Sequence, residues 1–266
     1  MCKDRKRKTK KEMNDERSVA NPMKKGTDFD YQKKCMLVGR KIIFLHYLYI
    51  MVQHLAKTNS LINTWVNELR NTEVQTDRLR FRRNMERIGE IVAYEISKTM
   101  PYEGVEINTP LGIYNGQALS HQPVIATIFR AGFPLFQGML NYFDQADCAF
   151  IAAYRKHHAD GTFNINQEYV TCPSLEGRTL IIADPMLATG ASLIMALDEL
   201  FDYGKPLAVH VVVAIACTEG IDNLRQKYPD FKIWAADIDD ELTAKGYIVP
   251  GLGDAGDLSF GSKLQF

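Results

Sequence analysis

The sequence is short of the features that staple small secreted folds or anchor chains in membranes. Among 266 residues there are five cysteines, at positions 2, 35, 148, 172 and 217. They are odd in number, far apart, and none forms a CxxC pair. This excludes a disulfide framework and a zinc knuckle and suits a reducing cytosol. Long apolar runs are also missing. The longest, Ile42–Val52, is interrupted by His46 and falls well short of the ~20 residues a spanning helix needs. Its charged lead-in is too long for a signal peptide and no A-x-A-like cleavage site follows. No membrane span is expected, and the location is read as cytoplasmic. The segment Asp184–Ser192 fits neither GxxxxGK[ST] nor GxGxxG, so it is neither of those two Gly-rich nucleotide loops. No internal repeat is visible.

Net charge is absent too, but only by cancellation: Lys+Arg and Asp+Glu are 32 each. Residues 1–41 hold 14 basic and 6 acidic residues, a net of +8, while residues 42–266 hold 18 and 26, a net of −8. A basic leader precedes an acidic body. The leader, residues 1–50, reads as disordered. Its Lys3–Lys11 run is either a nucleic-acid or targeting tail or a solvated appendage. Phe44, Tyr47 and Tyr49 read as incidental packing. The body, 51–266 with Met51 a plausible start, reads as one domain whose acidity argues against nucleic-acid binding.

Within the body, Leu61, Ile62, Trp65, Val66 and Leu69 follow helical spacing after a cap at Asn59 or Ser60. A longer helix is expected over Thr76–Thr99. Beyond Pro101, apolar β-rich runs alternate with helical patterns. The strands are Val124–Phe129, Cys148–Tyr154, Glu168–Cys172, Thr179–Asp184, Ala208–Ala216 and Phe231–Asp237. The helices are Leu135–Tyr142, Gly190–Tyr203 and Gly220–Lys227. This predicts an α/β fold, a parallel twisted sheet with helices on both faces. Its ligands sit beyond the carboxyl ends of the strands. The tail, Gly246–Phe266, is dense in Gly and Asp and reads as too irregular for core. Cys172 and Cys217 read as core residues. The adjacent His157 and His158 diverge in a strand and have no evident third ligand, so no metal site is expected there.

The strand Thr179–Asp184 runs into Asp184, Pro185, Met186, Leu187, Ala188, Thr189, Gly190, Ala191 and Ser192, then a helix. A carboxylate at a strand end suits sugar hydroxyls. Small residues at a helix start let backbone N–H groups approach a phosphate, and the Thr189 and Ser192 hydroxyls add donors. Taken alone, the loop fits either a sugar-phosphate cradle or an ordinary strand–turn–helix with a capping Thr.

The loop resembles the phosphoribosyl-diphosphate (PRPP) loop of type I phosphoribosyltransferases, and its Asp-Pro-Met-Leu-Ala-Thr-Gly form is similar to the uracil phosphoribosyltransferases. A second match is Tyr247-Ile-Val-Pro-Gly-Leu-Gly-Asp-Ala-Gly-Asp257, similar to that family's uracil-binding segment. Phe129-Arg130-Ala131-Gly132, Tyr154-Arg155, Thr76-Asp77-Arg78 with Phe81-Arg82, and Glu86-Arg87-Ile88-Gly89 with Tyr94-Glu95 also resemble the family. The likeness covers about residues 59–264. It implies a hood made by the N-terminal helices and the C-terminal segment. It implies uracil and PRPP as substrates, uridine monophosphate (UMP) and diphosphate as products, and Mg²⁺ arriving with PRPP. It implies that Arg130 and Arg155 bind the diphosphate, Asp184 the ribose and Thr189–Ser192 the 5-phosphate, with Pro185, Met186, Leu187 and Ala188 completing the PRPP loop. Backbone groups of Ile248, Gly253 and Ala255 would read uracil, with Asp254 toward PRPP and its metal. Arg130, Asp184 and Asp254 would form the catalytic set. Homo-oligomers, and GTP as an effector in some members, are implied as well. Where the family usually has Thr-Gly-Gly-Ser, this chain has Ala191, which is harmless at negative φ and costly at positive φ. The competing reading is a nucleotide- or RNA-binding regulator with little catalysis, or an enzyme acting on another base.

Overall fold

The structure, a computed structural model, describes residues 51–157 and 163–263; over 153–168 it describes the backbone alone. The expectations on residues 1–50, and on the side chains of Arg155, His157 and His158, lie outside what is described.

The chain opens with a short strand, β1 (Val52–His54), and a 3₁₀ turn, Leu55–Lys57. Helix α1 (Leu61–Arg70) starts as expected at Ser60. The Ser60 hydroxyl accepts from the Ile62 N–H, and the Asn63 side chain accepts from the Ser60 N–H. Those bonds fill donors that a helix start otherwise leaves unpaired. Helix α2 (Arg78–Ser97) is capped by Asp77 and buries Phe81, Met85, Ile88, Val92 and Ile96 along one stripe.

Two strands then follow that the hydrophobic pattern did not announce, β2 (Tyr102–Thr109) and β3 (Gly112–Leu119), paired as a separate antiparallel hairpin. Next come β4 (Val124–Phe129), α3 (Phe133–Leu140), β5 (Asp147–His157), β6 (Phe163–Thr171) and β7 (Thr179–Ala183). After these lie β8 (Met186–Leu187), α4 (Ala191–Leu200), β9 (Ala208–Cys217), α5 (Thr218–Lys227) and β10 (Lys232–Asp239). The chain ends in the small pair β11 (Glu241–Leu242) and β12 (Ile248–Val249), then α6 (Ala255–Phe260).

The main sheet runs β1-β10-β9-β7-β4-β5-β6, with β8 beside β9. Its pairings are parallel except β5 with β6, which is antiparallel. Strands β4, β7 and β9 are apolar and buried almost throughout, as strands covered on both faces must be. One core cluster contains α1, α2 and α3 residues and the other contains Leu193, Ala196 and Leu197 of α4 with Leu224 of α5.

Two expectations need correction. The tail is part of the core: Ile248, Leu252 and Ala255 are 6%, 4% and 3% exposed and belong to the α1–α3 cluster. Its glycines shape the path while its few apolar residues are the ones buried. Cys217 is buried as expected, but Cys172 is only half-buried. Among the described residues, no helix is long and apolar enough to cross a membrane.

Candidate active site

The topology places a crevice between β4 and β7. From β4 the chain moves outward through β5 and β6, then returns to β7 and proceeds the other way through β9 and β10. Such a reversal leaves a gap beyond the strand carboxyl ends, where ligands of open α/β sheets bind. Arg130 follows β4 and Asp184 follows β7, so both occupy that gap. The two ends touch. A Cβ on Gly132 would lie 2.4 Å from Thr127 Oγ1 and 2.6 Å from the Ala183 carbonyl oxygen, so only glycine fits.

The loop after β7 is held along its first half. The Pro185 carbonyl accepts from the Ala214 and Ile215 N–H groups at 3.1 and 3.0 Å. Met186 and Leu187 then pair with β9 as β8. Leu187 is 1% exposed and packs into the core, so only its backbone is available to a ligand. The loop's positive φ, +82°, falls on Gly190, which precedes α4 and offers no side-chain cap. The Ala191 N–H donates to Thr189 Oγ1 at 3.4 Å, and the N–H groups of Ser192 and Leu193 in the same turn are placed to meet an anion. Ala191 already lies in the first turn of α4, so its methyl is compatible with the loop. Asp184, Thr189 and Ser192 are half-buried at the same mouth.

Sequence reading missed two supports of this loop. Asn223 of α5 donates from Nδ2 to the Thr189 carbonyl at 3.1 Å. Gly220 lets the start of α5 close on the loop; a Cβ there would meet the Ala188 carbonyl oxygen at 2.3 Å. Each lies more than thirty positions from the loop residue it meets.

The C-terminal segment arches over both strand ends. A Cβ on Gly246 would lie 3.7 Å from the Thr189 methyl, and one on Gly256 would lie 3.7 Å from the Ala131 methyl and 3.8 Å from Arg130 Nη2. Arg130 donates from Nη2 to Asp257 Oδ1 at 3.1 Å and from Nη1 to the Gly261 carbonyl at 3.3 Å. On the hood side, Arg82 of α2 donates to the Ser259 carbonyl at 2.6 Å and lies over the Phe260 ring. Asp254 caps α6 by accepting from the Asp257 N–H at 3.0 Å and pairs with Lys263 at 3.0 Å. Partial burial would raise the Asp254 carboxyl, but the N–H bond and the Lys263 ammonium outweigh it and hold it below the usual carboxylate range.

Of the residues singled out in the sequence, the structure thus brings together Arg130, Asp184–Ser192 and the Ile248–Ala255 segment. Ile248 and Ala255 are buried, while Gly253 and Asp254 are exposed. Arg155 departs from expectation in one respect. Strand β5 does not end before it but continues to His157, paired antiparallel with β6, so Arg155 stands in a ribbon opposite Ile165. That ribbon extends past Ala152, the last β5 residue paired with β4. Among the described residues, no group of three His, Cys, Asp or Glu side chains is arranged to hold a metal ion.

A family profile described as Uracil phosphoribosyltransferase matches residues 56–262. The chain is 47% identical over 214 residues to a curated uracil phosphoribosyltransferase of Porphyromonas gingivalis, covering 80% of this chain and 99% of that one. It is 42% identical over 203 residues to the enzyme of that name from Methanococcus vannielii, covering 75% and 86%. A solved protein of Aquifex aeolicus superposes with a TM-score of 0.71 at 32% identity, covering 79% of this chain and 98% of that one. The fold, the crevice between β4 and β7 and these likenesses agree: the chain belongs to the uracil phosphoribosyltransferase family.

Proposed function

We propose that this chain is a pyrimidine-salvage pentosyltransferase that joins uracil to PRPP, giving UMP and diphosphate. N1 of uracil forms a bond to the ribose anomeric carbon, the bond to the diphosphate breaks, and the N1 proton leaves to solvent or to a diphosphate oxygen. The observation that carries this reading is the C-terminal segment's double contact. It passes close to the Asp184–Ser192 loop at Thr189 and is hydrogen-bonded to Arg130 through Asp257 and Gly261, so a base-reading segment faces a phosphate cradle.

The parts divide the work by chemistry. The N–H groups opening α4, with Thr189 and Ser192, hold the 5-phosphate. Asp184 holds the ribose hydroxyls. Arg130 and Arg155 take the diphosphate, for which guanidinium forks are well shaped. Backbone groups of Ile248, Gly253 and Ala255 satisfy the uracil edge, so an exocyclic amine in place of a carbonyl would face a donor unpaired. The rate then comes from positioning and from charge placed where the leaving group gathers it. The carboxylates of Asp184 and Asp254 are hard oxygen donors that fit Mg²⁺, which prefers carboxylate, phosphate and water oxygens. When bound with PRPP, the ion would neutralise diphosphate charge. The free thiols Cys148, Cys172 and Cys217 support a reducing, cytoplasmic setting. The −8 body supports catalysis on small anions at local arginines rather than RNA binding.

The test is UMP formation from radiolabelled uracil, PRPP and Mg²⁺, by the full chain and by a chain starting at Met51. Equal activity is expected and would mark residues 1–50 as outside the enzyme domain. Absence of UMP, or preference for a purine, would refute the assignment. Added GTP in the same assay tests the effector role; an unchanged rate removes it.

A further inference from the structure

Away from the phosphate loop, a polar cluster ties the end of α1 to the C-terminal segment. Arg70 places its guanidinium between two aspartates at the carboxyl end of β10. Nη1 and Nη2 donate to the two oxygens of Asp239 at 2.8 Å each, and Nη2 also reaches Asp237 Oδ2 at 2.8 Å. The other Asp237 oxygen lies 2.8 Å from His54 Nε2 on β1. Asp239 is 8% exposed. The same two side chains hold both backbone groups of one residue. Arg70 Nη1 donates to the Gly251 carbonyl at 2.9 Å, and the Gly251 N–H donates to Asp239 Oδ2 at 3.0 Å.

Gly251 lies between Ile248 and Gly253, at a φ of +59°. A Cβ there would sit 2.3 Å from the Ile248 carbonyl oxygen. The chain therefore folds back tightly at this point, and the ion pair grips the fold. We propose that Arg70 and Asp239 are positioning residues for the base: through Gly251 they fix the spacing between Ile248 and Gly253–Ala255. This rests on the assignment of that segment to uracil.

A buried ion pair is a poor device for stability alone, because well-packed apolar residues often do as well or better. A fork that captures one residue's amide and carbonyl together does something packing does not: it fixes loop register. Register matters here because backbone groups that read a base have no rotamers with which to recover from a displacement. Misplacement by about 1 Å can cost ~100-fold in rate. Arg70 and its second partner, Asp237, stay ionised across ordinary pH. Burial works against the Arg70 charge, but Asp239 and Asp237 outweigh it and raise the guanidinium further. Burial would likewise raise Asp237, yet its bonds to His54, Arg70 and the Ile238 N–H hold it down at about 2.

The experiment is steady-state kinetics of the full chain with Asp239→Asn and with Arg70→Lys, varying each substrate separately. Each variant is expected to raise the uracil KM by about tenfold or more, as loss of one charge-assisted bond predicts, with the PRPP KM nearly unchanged. A variant that melts earlier but keeps the wild-type uracil KM, or that raises both KM values equally, would overturn the proposal. A wild-type chain that makes no UMP would instead overturn the functional assignment. Amide exchange on the wild type gives a reading that needs no variant. The Gly251 N–H should exchange far more slowly than that of exposed Gly253, and equal rates would show that the clamp does not hold.

Discussion

His210 makes stability depend on pH in a window that can be worked out beforehand. It sits in the middle of the sheet, 2% exposed, and its Nδ1 accepts from Trp234 Nε1 at 3.0 Å. The two rings are stacked at 6.1 Å. That bond needs a neutral imidazole. Burial, with a smaller contribution from the nearby Lys232 charge, lowers its pKa from 6.5 to about 4. The unfolded chain therefore binds this proton first as pH falls, and stability drops from about pH 6.5 until the folded form also titrates near 4. At about 1.4 kcal/mol per pH unit, the full loss is roughly 3 kcal/mol. Glu68 and Asp237, both held at about 2 by their arginine partners and other hydrogen bonds, add a separate loss between roughly pH 4.5 and 2. His210→Gln isolates the first window, because Gln can still accept from the indole but does not titrate. Urea unfolding at pH 7 and pH 4.5 should show the wild type losing about 2–3 kcal/mol more than the variant. Equal losses, or an imidazole titrating near 6.5 in the folded protein, would refute the reasoning.

Two further outcomes are expected. Gly138→Ala would put a methyl 1.9 Å from the Glu86 carbonyl oxygen, forcing α2 and α3 apart; thermal unfolding should show a loss of about 3 kcal/mol, and an unchanged midpoint would contradict the packing. Arg130→Ala should raise the PRPP KM by about tenfold to a hundredfold, the worth of charge-assisted bonds to a phosphate, and unaltered kinetics would remove it from the site.

Legibility in the sequence followed how local each feature was. The buried parallel strands showed as unbroken apolar runs, such as Val124–Phe129 and Ala208–Ala216, because both faces are covered. The strand–turn–helix at Asp184–Ser192 was legible because its carboxylate, small residues and helix start lie within nine consecutive positions. The hairpin was missed because its residues are exposed on both faces, leaving neither an apolar run nor an alternating one. Only the Thr109-Pro110-Leu111-Gly112 turn could have announced it. The antiparallel course of β6 was hidden because direction depends on the partner, not on the strand's own residues. The Arg70 cluster was out of reach for another reason: its partners lie 167 and 169 positions away, and nothing in Asp237-Ile-Asp239 distinguishes a clamp from a solvated pair.

The C-terminal segment illustrates how irregular chain can be placed as firmly as a strand. Two of its anchors differ in kind, one fixed and one exchangeable. At Gly251 the anchor is the Arg70–Asp239 fork, in which Asp239 is 8% exposed; breaking such a buried pair leaves an uncompensated charge, so it persists through the reaction cycle. At Asp257 the anchor is Arg130, whose side chain is 40% exposed. Exposed pairs contribute about 1 kcal/mol or less, far below what a diphosphate offers a guanidinium. On the proposed assignment, PRPP takes Arg130 from Asp257 at small cost while Gly251 stays where the ion pair holds it, so the backbone proposed to read uracil keeps its geometry. A segment with one two-residue strand and one short helix achieves both because each anchor lies at a different depth in the protein.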